Sequence, residues 1–362
     1  MKTLDDCRNA IDALDSEILK LLNERMQVVH RVGEIKNSSG APIYRPEREV
    51  AIIDRLDKMN IDSKGLLNKA AIEALYLEIF AISRNLERAE KVAFLGPEGS
   101  FTHQAAESRF GAMSEYLGMS SIDTVFKSLE TKRVKYAVVP VENSHDGVVG
   151  ETLDLLAKTN VKIVAELTMP IHMAFATLAV DVKNVKKVYS KDKGFGQCRE
   201  FLIEHGFNDI EHIPVESTAK AAMLAAEDGT AAAICSHIAA KLYKVPTLYD
   251  NIEDSSQNKT RFLVLSDFKN ETSEDTKTSI LVRLKDGDKA GSLVRFLQDF
   301  EESDINMSKI ESRPSKDETG YKYWFFIDFA GHIDDKKIAE VIARHSDEVK
   351  WLGSYVEAKN EV

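Results

Sequence analysis

The fold of the N-terminal region is decided by residues 5–36, which read DDCRNAIDALDSEILKLLNERMQVVHRVGEIK. Their apolar side chains recur at alternating spacings of three and four, which is the pattern of a stripe along one side of a long helix. One position of this stripe carries an arginine where leucine or valine is expected. The stripe consists of Leu4, Cys7, Ile11, Leu14, Ile18, Leu21, Arg25, Val28, Val32 and Ile35.

Residues 1–90 are predicted to form an all-helical domain of three helices. The first helix breaks at 37–42. A second is expected to start near Pro46, because proline is tolerated in the first turn of a helix and acidic residues follow it. A third is expected from about Leu66 to Ala89.

Arg25 needs an anionic partner if it is buried, and that partner is either a nearby glutamate or a ligand. Arg8 and Lys36 flank the same stripe but lie four heptads apart, roughly 42 Å along a straight helix. Both could contact one small anion only if Arg8 came from a second, antiparallel copy of the chain. An intertwined dimer is therefore our hypothesis.

Ser83 and Glu87 are four residues apart on the third helix and face the same way. Arg48 and Glu49 start the second helix. Such a set of cations, carboxylates and a hydroxyl suits a dicarboxylate held by charge-assisted hydrogen bonds. It contains no nucleophile, metal ligand set or histidine, so it suits a reaction that needs electrostatic stabilisation and a restrained conformation.

Residues 5–36, YRPEREV (44–50) and ISRNLE (82–87) resemble the all-helical chorismate mutases. The resemblance implies that chorismate is rearranged to prephenate. The resemblance also implies that Arg8 of a partner, Arg25 and Arg48 hold carboxylates, that Glu49 and Ser83 orient the substrate hydroxyl, and that Lys36 and Glu87 face the ether oxygen. An ether oxygen only accepts hydrogen bonds, so Glu87 must be protonated to donate one to it. Mutase activity is therefore predicted to rise toward acid pH.

From Lys91 onward the pattern changes to short apolar strands separated by helical stretches. This alternation predicts an α/β domain with mainly parallel strands, ending at a polar linker, KNETSEDTKT (269–278). Each of its four polar loops could by itself be an ordinary turn. These loops are FLGPEGSFT (94–102), VVPVENSHDGVV (138–149), YSKDKGFGQC (189–198) and NKTRFLVL (258–265).

Together with ESTAKAA (216–222), these loops resemble prephenate dehydratase across residues 91–268. The resemblance implies a bilobal α/β domain with a cleft, in which prephenate loses carbon dioxide and its ring hydroxide to give phenylpyruvate. Lys191-Asp192-Lys193 departs from the family's pattern and receives no role. The resemblance implies that Thr260 assists hydroxide departure, that Arg261, Asn143 and Ser144 hold carboxylates, and that Ser190 and Gln197 line the cleft.

Residues 277–362 are predicted to form a βαββαβ unit of the ferredoxin-like type. GSLVRFL (291–297) and INMSKIESRP (305–314) resemble the phenylalanine-binding elements of ACT regulatory domains. The resemblance implies feedback inhibition by phenylalanine, bound between paired copies in a homodimer or dimer of dimers. The residues concerned are Gly291, Ser292, Leu293, Asn306, Glu311, Ser312, Arg313 and Pro314.

The composition narrows the remaining choices. A net charge of −11 argues against nucleic-acid or anionic-membrane binding, and no run of 18 apolar residues occurs. Three dispersed cysteines favour reduced thiols in a cytoplasm, and neither a metal nor a cofactor is expected. Two other hypotheses stay open: a non-enzymatic amino-acid sensor, and a dehydratase fused to a decayed, merely dimerising helical module.

Overall fold

The computed structural model describes residues 3–39, 41–285, 287, 289–314 and 323–358 of the chain. Among these residues no helix combines the length and apolarity needed to cross a membrane. The chain divides into two compact units. The first comprises residues 1–90 with 110–115, and the second comprises residues 91–109 with 116–362.

The first unit contains three helices, which confirms the all-helical prediction for this region. Pro46 starts the second helix, and the Asn68 side chain caps the third by accepting a backbone N–H at 2.8 Å. Ile53, Ile72 and Phe80 form a small core. The helices are α1 (Leu4–Ser39), α2 (Pro46–Asp62) and α3 (Lys69–Glu87).

Much of the apolar stripe of α1 is exposed. Leu4, Ile11, Ile18 and Ile35 keep 65%, 55%, 54% and 67% of their surface accessible. Helix α3 packs against α1 near Gly33, the buried residue of α1. The single chain therefore covers only part of a 36-residue helix and leaves an apolar face open.

The second unit begins with two lobes, each built on one sheet. The chain supplies five strands to the first lobe, five to the second, and one that returns to the first. These strands are β1 (Lys91–Leu95), β2 (Glu115–Met119), β3 (Tyr136–Asn143), β4 (Gly147–Val148), β5 (Lys162–Pro170), β6 (Ala174–Thr177), β7 (Lys187–Ser190), β8 (Glu211–Pro214), β9 (Ala231–Cys235), β10 (Thr247–Tyr249) and β11 (Lys259–Ser266).

Helices flank both sheets of these lobes. Ser121 caps α5 and Ser217 caps α9, each by accepting a first-turn N–H. The helices are α4 (Phe101–Phe110), α5 (Ile122–Glu130), α6 (Gly150–Lys158), α7 (Asp192–Gln197), α8 (Arg199–Glu204), α9 (Thr218–Glu227) and α10 (His237–Leu242), with a 3₁₀ turn at Val182–Asn184.

The prediction of mainly parallel strands is wrong. The first sheet has the order β2-β1-β3-β11-β5, with β4 beside β3, and the second has the order β10-β6-β9-β7-β8. β1–β3, β7–β8 and β7–β9 are parallel, whereas β11 runs antiparallel to both β3 and β5, and β6 runs antiparallel to β9 and β10. For β11 the reason is its connection. A strand that is parallel to its neighbour needs a crossover helix that brings the chain back to the same end of the sheet, whereas β11 enters the first sheet directly from the second lobe.

The C-terminal part follows the order strand, helix, strand, strand, helix, strand. Its four strands form an antiparallel sheet in the order β13-β14-β12-β15, and both helices pack on one face around Phe296, Phe300 and Phe329. The elements are β12 (Thr276–Val282), α11 (Ser292–Glu301), β13 (Met307–Pro314), β14 (Tyr323–Ala330), α12 (Lys336–Arg344) and β15 (Val349–Val356).

The other face of the C-terminal sheet packs against the first lobe. Leu281 and Phe326 share a hydrophobic core with Leu263 of β11. Gly353 lies so close that a Cβ there would be 2.1 Å from the Ile163 carbonyl oxygen. The two sheets therefore meet in a tight contact that leaves no room for a side chain at that position.

The predicted linker at 269–278 is only partly a linker. Asn270 is buried, and its amide donates to the carbonyl oxygens of Val164 at 2.7 Å and Ser354 at 2.9 Å. The polar composition of this segment predicted contact with solvent, but the buried Asn270 amide instead connects the first lobe to β15 through its two hydrogen bonds.

Candidate active sites

The helical unit joins Arg25 to Ser83. Arg25 Nη1 donates to Ser83 Oγ at 2.5 Å, and Ser83 in turn donates to the Ile79 carbonyl oxygen at 2.6 Å. Burial lowers the pKa of Arg25, and Tyr76 and Glu87 only partly oppose this effect. A half-buried cation of this kind gains free energy from an incoming anion.

Lys36 and Glu87 form the second pair of this site. Lys36 Nζ lies 2.7 Å from Glu87 Oε2 and also donates to the Ile43 carbonyl oxygen at 3.3 Å. Because Ser83 and Glu87 are one turn apart on α3, both pairs lie on the face that α3 turns toward α1. A hydroxyl, two cations and a carboxylate therefore converge there.

Glu49 is held by a residue that the sequence analysis did not single out. Its carboxylate is paired with Arg84, whose guanidinium lies 5.5 Å from the ring centre of Tyr44 and 5.6 Å from that of Phe110. Arg84 also donates to the Phe110 carbonyl oxygen at 2.9 Å. A signal was present in the sequence, since Arg84 follows Phe80 by four residues and so continues the buried face of α3.

Arg8 and Arg48 are exposed in the single chain. Arg8 contacts Asp5 at 3.3 Å, with both side chains largely accessible. Arg8 precedes Arg25 by 17 residues, which is about 26 Å along α1. Within one chain, Arg8 therefore cannot serve the site formed by Arg25.

In the first lobe, the Asn143 amide organises the loop that follows β3. Its Oδ1 accepts the backbone N–H groups of His145 and Asp146, each at 2.9 Å. Backbone N–H groups can only donate, so this fixes which end of the amide is Nδ2. Nδ2 then donates to Thr260 Oγ1 and to Asn258 Oδ1, each at 2.8 Å. The Thr260 oxygen is thus an acceptor in this bond, and its own proton is free to be donated elsewhere.

Ser144 anchors this loop to β11. Its hydroxyl accepts the Lys259 N–H at 3.0 Å and donates to the Gln257 carbonyl oxygen at 3.1 Å. Its backbone N–H donates to the Lys259 carbonyl oxygen at 2.9 Å. The side chain holds the loop and has little capacity left for a ligand.

Ser190 and Gln197 lie in the second lobe. Ser190 is buried beneath Gly194, where a Cβ would be 2.2 Å from Ser190 Oγ. Gln197 ends α7. Between them, Lys193 Nζ lies 2.6 Å from Asp146 Oδ1 of the first lobe. The charged stretch that departs from the family's pattern therefore supplies an ion pair between the lobes.

In the C-terminal part, the two motifs lie at the same end of the sheet. β12 and β13 both run antiparallel to β14, so Pro314 ends on the side where Gly291 precedes α11. Gly291 has φ +81°, a left-handed conformation that favours glycine. Arg313 turns away to the first lobe, with its Nη2 3.5 Å from Asp154 Oδ1.

Comparisons with known proteins match the whole chain. A family model for "Chorismate mutase type II" matches residues 7–88, and one for "Prephenate dehydratase" matches residues 92–270. A bifunctional chorismate mutase/prephenate dehydratase of Aquifex aeolicus is 41% identical, with 99% of each chain covered. That of Neisseria gonorrhoeae is 40% identical, with 96% of this chain and 95% of the relative covered. The chain belongs to the bifunctional chorismate mutase/prephenate dehydratases.

A solved structure is similar as well. A prephenate dehydratase from Arthrobacter aurescens, solved in complex with L-Phe, has a TM-score of 0.67 and 31% identity, covering 75% of this chain and 91% of that one. The bifunctional enzyme therefore rearranges chorismate to prephenate and converts prephenate to phenylpyruvate. Family membership sets aside the sensor hypothesis and the decayed-mutase hypothesis.

One residue of the bifunctional enzyme is not where the sequence analysis put it. Arg261 was expected to hold a substrate carboxylate beside Thr260, but its guanidinium is bonded to Glu166 at 2.7 Å and to Asp328 at 2.8 Å. The reason is strand alternation, because consecutive side chains on β11 point to opposite faces. Thr260 faces Asn143, and Arg261 faces the C-terminal sheet.

Proposed function

We propose that the mutase site is completed by a second copy of the chain, in an intertwined homodimer. The exposed stripe of α1 supports this, and so does the distance of about 26 Å between Arg8 and Arg25 on one helix. In such a dimer Arg8 of one copy joins Arg25 of the other. Pairing two copies would also cover the apolar residues that a single chain leaves accessible.

The mutase site would then bind chorismate by charge. Arg25, Arg48 and the second copy's Arg8 hold its carboxylates, and Ser83 with Glu49 orients the hydroxyl. Arg84 fixes the Glu49 carboxylate. Lys36 or a protonated Glu87 stabilises the ether oxygen as its bond to carbon breaks. No covalent intermediate is needed, because the site restrains the substrate in the reactive conformation.

Complementation between two inactive variants tests the dimer. Arg8→Gln and Arg25→Gln chains are each expected to lose mutase activity. After the two are unfolded together and refolded, half of the dimers are mixed, and each mixed dimer has one intact site of two. About a quarter of the wild-type activity should therefore return. No recovery, together with sedimentation as a monomer, would contradict the shared site.

For the dehydratase site we propose that Thr260 donates a hydrogen bond to the departing ring hydroxide. As the carboxylate leaves as carbon dioxide, its bonding electron pair moves into the ring and expels the hydroxyl group, which makes the ring aromatic. The bond from Asn143 supports this role because it uses Thr260 Oγ1 as an acceptor and leaves its proton to be donated. Gln197 lies in the opposite lobe, and Ser144 anchors the loop. Ser190 was expected to line the cleft, but it is fully buried beneath Gly194 and supports the loop from below.

Two substitutions at one position test the hydroxyl. Thr260→Val keeps the shape of the side chain and removes its donor, and it should lower kcat on prephenate by about 10²-fold. Thr260→Ser keeps the donor and should stay close to wild type. Equal turnover by the valine and serine variants would show that the hydroxyl has no part in the reaction.

We propose that residues 277–362 form an ACT-type regulatory domain that binds phenylalanine, following the mutase (1–90) and dehydratase (91–268) domains. The two motifs lie at the same end of the sheet, which supports this proposal. The residues at that end are Gly291, Ser292, Leu293, Glu311, Ser312 and Pro314, and Asn306 precedes β13. Arg313 is an anchor to Asp154 in this arrangement. The L-Phe in the Arthrobacter aurescens structure is consistent with the same ligand.

Calorimetry with phenylalanine tests the regulatory site. The wild-type enzyme should bind phenylalanine and lose dehydratase activity. Gly291→Ala, which strains a left-handed backbone at the site, should weaken binding and leave uninhibited turnover intact. No binding by the wild type would refute the assignment.

We also propose a cytoplasmic location, which the free thiols of Cys7, Cys198 and Cys235 support.

A further inference from the structure

Arg261 and Thr260 are neighbours on β11 that face opposite sides of the first sheet. Thr260 accepts the hydrogen bond from Asn143. Arg261 shares its face with Leu263, which packs against Phe326 of the C-terminal sheet. Thr260, whose hydroxyl we propose to act in the dehydratase reaction, is thus adjacent in sequence to Arg261, whose side chain faces the C-terminal sheet.

Two buried carboxylates from different sheets hold the Arg261 guanidinium. Nε donates to Glu166 Oε2 at 2.7 Å, and Glu166 lies on β5 of the same sheet. Nη2 donates to Asp328 Oδ2 at 2.8 Å, and Asp328 lies on β14 of the C-terminal sheet. Glu166 is 6% exposed and Asp328 is 1% exposed, so both pairs are shielded from water. Buried, charge-assisted pairs of this kind are strongly directional.

Further bonds hold the two carboxylates in place. Asp328 Oδ1 accepts from Ser279 at 2.5 Å, and Glu166 Oε1 accepts from Lys277 at 2.7 Å. Burial alone would raise the pKa of Glu166, but Arg261 and Lys277 lower it, so the carboxylate is ionised. All four carboxylate oxygens are engaged, and the guanidinium has one well-defined position.

The ladder beside Arg261 is irregular. Arg261 pairs with Glu142 of β3, but the next residue, Phe262, pairs with Pro140, so β3 contains an extra residue at this point. A bulge bends the strand that contains it, here β3, and interrupts its regular hydrogen bonds to β11, whereas β11 pairs regularly with β5 from Lys259 to Val264. The side chain of Arg261 adds a constraint toward the C-terminal sheet that neither neighbouring strand provides.

We propose that Arg261 is a positioning residue of the dehydratase site, which orients Thr260 by tying β11 to the C-terminal sheet through Asp328. Loss of the tie lets Thr260 turn away from the departing hydroxide, although every group that contacts prephenate is still present. The effect should therefore fall on kcat and leave KM nearly unchanged. Movement of the C-terminal sheet would reach Thr260 by the same route.

The test uses Asp328→Asn in the full-length enzyme. The amide has the shape of the carboxylate and can still accept from Ser279, but it lacks the charge that holds Arg261. We expect kcat on prephenate to fall about tenfold with KM within about twofold, since a misplacement of 1 Å can cost about 10²-fold. Chorismate mutase activity of the same preparation should equal that of the wild type.

A double-mutant cycle separates positioning from a general loss of structure. If Asp328 acts through Thr260, then Asp328→Asn should have no further effect on kcat in a Thr260→Val background. A full tenfold loss in that background would overturn the proposal. Should Asp328→Asn not fold, Ser279→Ala removes the second support of Asp328 and should lower kcat to a smaller extent, with the same dependence on Thr260.

Lys350→Met provides the matched control. Lys350 of β15 joins the C-terminal sheet to helix α6 of the first lobe, because its Nζ donates to the carbonyl oxygens of Leu156 at 3.0 Å and Ala157 at 2.8 Å, and it makes no hydrogen bond to Arg261. The control should leave kcat on prephenate unchanged. An equal loss in this variant would show that any weakening of the interface is sufficient, and the specific role of Arg261 would be refuted.

A second experiment depends on the proposed phenylalanine site. If ligand binding shifts the C-terminal sheet, Asp328→Asn should raise the phenylalanine concentration needed for half-inhibition by about fivefold, which is within the usual range of coupling between sites. Unchanged half-inhibition would contradict transmission through this tie. A wild type that phenylalanine does not inhibit would refute the proposed regulation, and the kcat cycle would still decide the positioning role.

Discussion

Gly33→Ala is expected to abolish most mutase activity by moving one catalytic side chain. Gly33 lies where α1 packs closely against α3, and a Cβ there would be 2.8 Å from Glu87 Cα and 3.1 Å from its carbonyl oxygen. Ordinary contacts between carbon atoms are about 3.5–4.0 Å. Helix α3 must therefore withdraw by about 1 Å, and it carries Glu87 away from Lys36.

Two opposing effects act on stability. Replacing a glycine inside a helix with alanine stabilises by about 1 kcal/mol. The steric conflict costs about 1–3 kcal/mol, because the contact is with backbone atoms that cannot rotate away. The net change in the free energy of unfolding is therefore small, from near zero to about 2 kcal/mol destabilising. The displacement of Glu87, in contrast, should lower kcat/KM for chorismate by about 10²-fold.

The assay follows chorismate loss, with prephenate turnover by the same preparation as an internal control. Glu34→Ala serves as the matched variant, because its exposed side chain is one position along the same helix. It should leave both activities unchanged. Full mutase activity in Gly33→Ala, together with higher thermal stability, would show that the close contact has no catalytic consequence.

Three further predictions concern other side chains. Wild-type mutase activity should rise toward acid pH and Glu87→Gln should flatten that profile, because the amide donates at every pH; a flat wild-type profile would count against the role. Lys193→Gln should raise KM for prephenate no more than about fivefold, since the exposed pair with Asp146 is worth about 0.2–1 kcal/mol. High salt should erase this difference, and a salt-independent effect would contradict the ion pair. His103 Nδ1 accepts the Gly99 N–H at 3.1 Å, and burial lowers the pKa of His103 below 6.5, with Glu98 and Glu107 opposing. The folded state therefore binds the proton less tightly than the unfolded state, so stability should fall as pH drops below 6.5; His103→Gln, which keeps an acceptor but does not titrate, should lack this part of the dependence in urea unfolding at pH 7.5 and 5.

The sequence predicts those parts of the sites that follow from local spacing. Ser83 and Glu87 are one turn apart, so any helix presents them together to α1. Asn143 follows an apolar strand, and polar groups at such positions lie at the sheet edge where ligands bind. The structure joins Asn143 to Thr260 across 117 residues.

The direction of Arg261 could not be predicted in this way. Strand alternation places Arg261 opposite Thr260, but it does not say which face is the cleft. From Phe262 to Ser266 every residue of β11 is buried, because the C-terminal sheet covers the face that would otherwise be solvated. With both faces apolar, no pattern of polar residues marks the side of the site.

Tertiary contacts also decided two features of the first unit. Arg84 continues a buried face, but its partner Glu49 lies 35 residues away on α2, and neither spacing nor composition indicates that pair. Gly33 is a weak helix former inside α1, and the backbone of Glu87, which packs against it, explains why a glycine stands there. Such contacts are visible only once the helices are packed.

The most direct test of two active sites on one chain starts from chorismate alone. The purified wild-type enzyme should convert chorismate to phenylpyruvate. Arg25→Gln should leave chorismate untouched and still convert added prephenate, and Thr260→Val should accumulate prephenate. Wild-type enzyme that leaves chorismate unchanged, or that stops at prephenate, would contradict the account.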